Sequence, residues 1–517
     1  MDGKERTDSG PRSEAGGIAR NAATSYGLRG VMIVSALVLT PYLYRRLGAG
    51  GFGTWSVIFT FQTVFNLVEF GFSGGLIKLV AEQRGAGRHR ELGATLGAGV
   101  MALGGFGVLA ALASVLAAYG LDGLADAANR EDFRVGMIVI GVAMLFRFPL
   151  VAYGAALIGY QRTDLFNYAT VVSAAGFPIA AVAAVELGGG VAGVSVAFAV
   201  SLVAGAALYV PLLRREDPVI PLMPRRGERL ALRRLASFST FTLLADSMVF
   251  VGQRMDTVVI AAVRGAAAAA PFAAAVKLQS GVQSITLPFV NLLLPMISEL
   301  DGAGRRAEVG RRLVLATRIS MQLTLPFAAA IAIFSTDIVG AWLGDTAPPE
   351  TAAIVAVLMA AAALSLSATP AEKVLVGLGR VRLVGLVATM EGLLNISISI
   401  LLVIQFGAIG AAWGTLITTA VLSPVKLPLA ARAADVPLGR LVREGVLAPV
   451  AASVAGIAAM AIVAVSMPEG LLRLAIGTTV GLLACACVAA VQVGPRRLRE
   501  VRGLLRAGSS PAIRGVS

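Results

Sequence analysis

The chain has 517 residues, 57% of them hydrophobic and only 14% charged, with a mean hydropathy of +0.80. Water-soluble chains carry about 25% charged residues, so a chain this apolar has more greasy surface than one water-facing core can hide, and its composition points to a membrane protein. A single histidine, His89, and two cysteines, Cys485 and Cys487 within one apolar run, exclude most zinc sites, Cys–His nucleophile pairs and disulfide frameworks.

In chain order, residues 1–26 are polar and hold no apolar stretch of signal-peptide length, so the first apolar segment is expected to anchor the chain. Segments of about 20 apolar residues, at about 1.5 Å each, match a hydrocarbon core of about 30 Å. Fourteen such segments are predicted as helices. The first six cover Leu28–Tyr44, Phe52–Phe72, Ala94–Tyr119, Val135–Ile158, Leu165–Val185 and Val191–Leu213. The next six cover Phe238–Val263, Ala269–Ile297, Leu313–Phe334, Thr351–Ala368, Leu383–Ile404 and Ala408–Ala430, and a last pair covers Val446–Ser466 and Leu471–Val491.

An even number of spans puts both termini on one side, and the distribution of Lys and Arg says which. With the N-terminus cytoplasmic, about 31 of the 44 basic residues fall in inside loops and tails and about six in outside loops. The basic residues are spread over one membrane face and are not gathered with aromatic residues in one folded module, so the net charge of +14 reflects topology and anionic lipid rather than nucleic acid.

Two stretches recur about 217 residues apart. Ile158-Gly-Tyr-Gln-Arg162 ends span four and Gly190-Val-Ala-Gly193 opens span six; Val376-Gly-Leu-Gly-Arg380 ends span ten and Gly407-Ala-Ile-Gly410 opens span twelve. Equivalent landmarks with the same orientation mean a parallel duplication. The expected fold is therefore an all-α integral membrane protein of about 14 transmembrane helices, with two six-helix lobes related by duplication plus two C-terminal helices. The expected organisation is a cytoplasmic tail (1–26), a first lobe (27–213), a basic cytoplasmic linker (214–235), a second lobe (236–430), a linker with helices 13 and 14 (431–493) and a basic cytoplasmic tail (494–517).

Several segments also resemble a known family. They are Val68-Glu-Phe-Gly-Phe-Ser-Gly-Gly-Leu-Ile-Lys-Leu-Val-Ala-Glu-Gln-Arg84, Leu157-Ile-Gly-Tyr-Gln-Arg-Thr-Asp-Leu-Phe-Asn167, Gly252-Gln-Arg-Met-Asp-Thr-Val-Val-Ile260, Gly377-Leu-Gly-Arg380 and Glu391-Gly-Leu-Leu-Asn395. In order and spacing they resemble the polysaccharide (O-antigen-type) flippases, of the superfamily that also holds lipid II flippases and multidrug and toxic compound extrusion transporters. The resemblance implies a transporter rather than an enzyme. Its substrate would be an oligosaccharide on a polyprenyl pyrophosphate, moved from the cytoplasmic to the periplasmic leaflet by alternating access, for cell-surface polysaccharide biosynthesis. It also implies a multi-pass protein of a bacterial-type inner membrane, working beside other polysaccharide-assembly membrane proteins. The match to the lipid II flippases is poorer in span one, which offers only Arg29 and then Pro41, although helices 13 and 14 echo their extra pair.

Charges inside spans cost about 2.5–3.5 kcal/mol on insertion scales, so those present are expected to face a wet cavity or a partner. Arg29, Arg147, Lys277 and Arg318 are the candidate substrate-binding cations, since guanidinium groups grip phosphate oxygens bidentately. Arg147 lies 15 residues before Arg162, about 22 Å along the helix, too deep to snorkel to the inner rim. Glu391 and Asp246 are the candidate coupling residues, because a buried carboxylate can hold or release a proton; the coupling ion would be a proton or sodium, with no other cofactor, metal or catalytic group expected. Gln62, Asn66 and Glu69 make a polar stripe on span two, as do Glu391, Asn395 and Ser399 on span eleven. Trp55, above the Gln62 stripe, reads as core or as a platform for a sugar ring.

Three readings remain open on the residues alone. A flippase needs fixed cations, a cation-coupled drug or metabolite antiporter of the same fold needs carboxylates, and a membrane enzyme needs a long outside loop. The longest predicted outside loops, around Leu121–Arg134 and Thr336–Glu350, are about 15 residues long, against the enzyme.

Overall fold

The computed structural model describes residues 11–218 and 255–507, and all regular structure among them is helical. Twelve stretches are long and apolar enough to cross a membrane. They account for the fourteen predicted spans as follows. Spans one and two fall within α1 (Pro11–Gly85), which is two helices meeting at a kink at Gly48 (φ 68°, ψ 176°). Of span seven only α7 (Asp256–Arg264) is described, and the rest lies outside the described residues. The other eleven predicted spans each have a helix.

The chain divides into two compact units, Met1–Ala274 with Val403–Ala408, and Ala275–Leu402 with Ile409–Ser517. The first holds α1, α2 (His89–Gly120), α3 (Arg130–Gly159), α4 (Thr163–Glu186), α5 (Gly190–Ala207), α6 (Tyr209–Glu216) and α7. From Ala275 the second holds the rest of α8 (Ala266–Asn291), then α9 (Leu293–Gly302), α10 (Arg306–Ile333), α11 (Ser335–Leu343), α12 (Glu350–Gly377), α13 (Val381–Phe406) apart from its last residues, and α14 (Ala408–Ala433). Leu438–Leu447 then leads, partly with π-type pairing, into α15 (Ala448–Ser466), followed by α16 (Leu471–Ala507). Most of these helices are apolar on every side, which suits lipid on one face and neighbours on the other. The two predicted outside loops are less open than expected. The first holds two 3-10 turns, Asp122–Leu124 and Ala127–Asn129, and the second holds α11 and a 3-10 turn at Gly344–Thr346.

The duplication is written in the backbone of each unit. Gly48 and Gly265, Gly87 and Gly304, and Gly190 and Gly407 are pairs 217 positions apart, and every one has a positive φ. One position later in the offset, Gln161 (φ 61°) pairs with Gly379 (φ 74°), and the amides of Arg162 and Arg380 close the same turn on the carbonyls of Leu157 and Leu375. The packing repeats too. A Cβ on Gly159 would sit 2.8 Å from Val80 and 3.0 Å from the Ile77 carbonyl, and one on Gly377 would sit 2.8 Å from Ile297 and 3.4 Å from the Leu294 carbonyl. In each half, helix four of the lobe presses its last turn against helix two, at a contact that only glycine permits.

Candidate functional site

In the first unit the second half of α1 sets Gln62, Asn66 and Glu69 on one face, at steps of four and three residues. They meet Arg147 of α3, 13% exposed, and the meeting is an ion pair: Arg147 Nη1 donates to Glu69 Oε2 at 2.6 Å and to Asn66 Oδ1 at 3.2 Å. Gln62 Nε2 in turn donates to Asn66 Oδ1 at 3.1 Å. Nη1 thus spends both its hydrogens within the protein, while the Nε–Nη2 edge has no hydrogen-bond partner among the described residues. That edge is the forked face that binds carboxylate or phosphate in a bidentate fashion. Arg147 is turned inward on a polar helix face and α3 runs on through Pro149.

A second charge cluster lies in the other unit. Lys426 of α14, its side chain 10% exposed, sits 3.0 Å from Glu391 of α13 and 3.4 Å from Glu372 of α12, with Lys373 3.8 Å from Glu372. Sequence reasoning finds Glu391 but neither Glu372 nor Lys426. Lys426 lies four residues from the predicted end of its span and Glu372 just past the end of the tenth, where charges reach the rim unaided. The available signal was that both stand between helical residues in near-uniform apolar sequence.

The remaining candidates are placed separately. Arg29 is exposed on α1, and Asp246 lies outside the described residues. Lys277 of α8 is half-buried and has an interaction partner. Arg318 of α10 has a buried Nε with no hydrogen-bond partner. Asn395 is buried and donates to Thr415 Oγ1 at 3.2 Å, and Ser399 is fully buried one turn further on. Trp55 is core: it packs on Phe59, Phe177 and Phe198, with centroids 5.4–5.9 Å apart, and is buried, so no ring face is free for a sugar.

The ends of α3 and α4, which the charge pattern assigns to the inner face, carry a third network within the first unit. Arg162 pairs with Glu216 and, at 3.1 Å, with Asp164, which also holds Arg20 at 3.0 Å. Arg84 lies over the Tyr160 ring at 4.5 Å, and the Tyr160 hydroxyl donates to Asp217 at 2.7 Å. Burial first, and then that hydrogen bond, push the Tyr160 phenol up, so it stays a neutral donor. Among the described residues no three His, Cys, Asp or Glu side chains are placed to hold a metal ion.

Comparison with known proteins bears on family and fold. A family described as polysaccharide biosynthesis protein matches residues 19–301. No curated protein matches. Among solved structures, the lipid II flippase MurJ in an inward closed conformation is 12% identical, with a TM-score of 0.69 over 92% of this chain and 98% of that one. A multidrug resistance MATE family transporter of the MOP superfamily, inward-facing, is 15% identical, with a TM-score of 0.65 over 79% of this chain and 94% of its own. A MOP superfamily transporter from Pyrococcus furiosus, described as having a binding pocket of reverse polarity, is 13% identical, with a TM-score of 0.60 over 81% and 95%. These likenesses establish a shared fold of membrane-spanning helices. With more than half its length matched by this one family, the chain belongs to the polysaccharide biosynthesis proteins.

Proposed function

We propose that the chain is a flippase that moves a polyprenyl-pyrophosphate-linked oligosaccharide from the cytoplasmic to the periplasmic leaflet by alternating access of its two lobes. The observation that carries this reading is the Arg147 guanidinium, set deep in α3 with one edge tied to Glu69 and Asn66 and the forked edge uncommitted. A pyrophosphate brings more than one negative charge and paired oxygens to that edge, whereas a cationic drug would meet repulsion there. Glu69 then acts as the internal counter-ion that keeps the guanidinium neutralised when no substrate is bound, sparing the empty protein a bare charge in a low-dielectric setting.

Coupling to an ion falls to the Lys426 cluster, where Glu372 lies between Lys426 and Lys373 and Glu391 pairs with Lys426, so that a proton or sodium ion would compete with an ammonium for a carboxylate. Carboxylates at this cluster also favour the second reading, a cation-coupled antiporter of small molecules. The test that separates them is deletion of the gene. The flippase reading expects lipid-linked oligosaccharide to accumulate on the cytoplasmic leaflet, restored to normal by the wild-type chain and not by Arg147→Ala inserted at equal amount. No accumulation, with altered drug sensitivity instead, favours the antiporter.

A further inference from the structure

The 217-residue offset fixes the register between α1 and α8 without gaps, because the two glycines that bracket each stretch, Gly48 and Gly87 in one half and Gly265 and Gly304 in the other, obey the same offset. Gln62 therefore corresponds to Gln279 and Asn66 to Gln283. The amide stripe of the first lobe is repeated in the second, but its acidic and basic companions are not: Glu69 corresponds to Thr286, and Arg147 falls opposite Leu364 or Ser365. What remains is a neutral stripe in which Ser280 and Ser284 return their hydroxyls to the carbonyls of Val276 and Ser280.

The two stripes also differ in how they are satisfied. In the first lobe, Gln62 and Asn66 close onto each other and onto Arg147. In the second, Gln279 makes one long bond, its Nε2 lying 3.4 Å from the Leu358 carbonyl, and the half-buried Gln283 amide has no hydrogen-bond partner among the described residues. Gln283 stands 17 residues after Ala266 in an apolar stretch that runs to Gly302, near mid-depth of a bilayer. An amide at that depth with no partner costs several kcal/mol in contact with hydrocarbon, so it is expected at a wet surface that a ligand also visits. Two primary amides one helical turn apart offer donor and acceptor at each step, the pattern that matches adjacent hydroxyls on a pyranose ring and has no preference for charge.

We infer that Gln279 and Gln283 are specificity residues that read the sugar hydroxyls of the transported lipid. The inference rests on the flippase reading.

The test uses the purified full-length protein in vesicles with two probes, polyprenyl pyrophosphate carrying a tetrasaccharide and polyprenyl phosphate carrying none, each followed by its transfer between leaflets. For Gln279→Leu/Gln283→Leu, transfer of the glycosylated probe is expected to fall roughly tenfold or more, with transfer of the sugar-free probe unchanged; Gln283→Asn, which keeps the amide, restores part of the loss. Equal loss on both probes means a structural role and overturns the inference, as does no loss on either. If the wild-type protein moves neither probe, the flippase reading itself has failed and the inference falls with it. Wild-type transfer of both probes with unchanged variants removes the inference alone.

Discussion

The Arg147–Glu69 pair sets the stakes at the level of single residues, because each partner is the other's only full counter-charge among the described residues. Truncating one partner of a buried pair leaves an uncompensated charge and costs about 3 kcal/mol, whereas removing both costs less. Glu69→Ala is accordingly expected to lower the thermal midpoint in detergent more than Glu69→Ala combined with Arg147→Leu; a double variant less stable than the single would mean the pair is not coupled. Lys426 follows the same logic with opposite sign. Lys426→Met leaves Glu391 without its ion-pair partner and Glu372 with Lys373 alone. The variant should lose the dependence of transport on the ion gradient, read as uptake at fixed pH with and without a gradient, and intact dependence would remove the cluster from coupling. The depth of Arg147 was legible from its distance to Arg162 along one helix. Its partner was not, since Glu69 is 78 residues away and only the packing of α3 on α1 brings the two together.

At the scale of elements, the repeated turns make a prediction that pairs the two halves. Gln161 occupies a left-handed backbone site where its counterpart Gly379 needs no strain. Gln161→Gly should therefore stabilise by about 0.5–1 kcal/mol, and Gly379→Ala should destabilise by about 1 kcal/mol, both measured as shifts in denaturation midpoint. Shifts of the same sign in both would contradict the equivalence. The close approaches at Gly159 and Gly377 are equivalent in the same way, and alanine at either is expected to cost about 1–3 kcal/mol by overpacking. The C-terminal pair of helices is held differently. Arg473 at the start of α16 chelates Asp337 of α11, whose carboxylate also accepts from the Gly470 amide at 2.7 Å. Asp337→Ala is expected to expose the Met467–Leu471 connection to protease while leaving the other loops unchanged; an unaltered cleavage pattern would show that α15 and α16 are held by packing alone. Helices were legible throughout because membrane burial forces long apolar runs, and the repeat was legible at Arg162 and Arg380. The boundary between spans one and two is borne out as a kink confined to Gly48, with the helix resuming directly after it.

For the whole molecule, composition alone decides the solvent, and the lysine and arginine distribution proposes an orientation with both termini cytoplasmic. Single cysteines replacing Arg88 and Gly188, in a chain whose own two cysteines are changed to serine, test that orientation: an impermeant maleimide should label the second from outside intact cells and not the first. The more demanding question is what crosses. Fold likeness places the chain beside flippases and drug exporters alike, and the sign of the charge presented at mid-depth separates them. Arg147 has Glu69 beside it and Lys426 has Glu391 and Glu372, so at these two places the protein offers an exchangeable ion pair rather than bare positive charge, a property invisible to a tally of charges along the sequence. Transfer of a pyrophosphate-linked tetrasaccharide lipid between leaflets of reconstituted vesicles tests this most directly. Rapid transfer is expected of the wild-type chain, and transfer at the protein-free rate of a folded Arg147→Ala variant; equal transfer by the two proteins would contradict a role for Arg147 in holding the substrate.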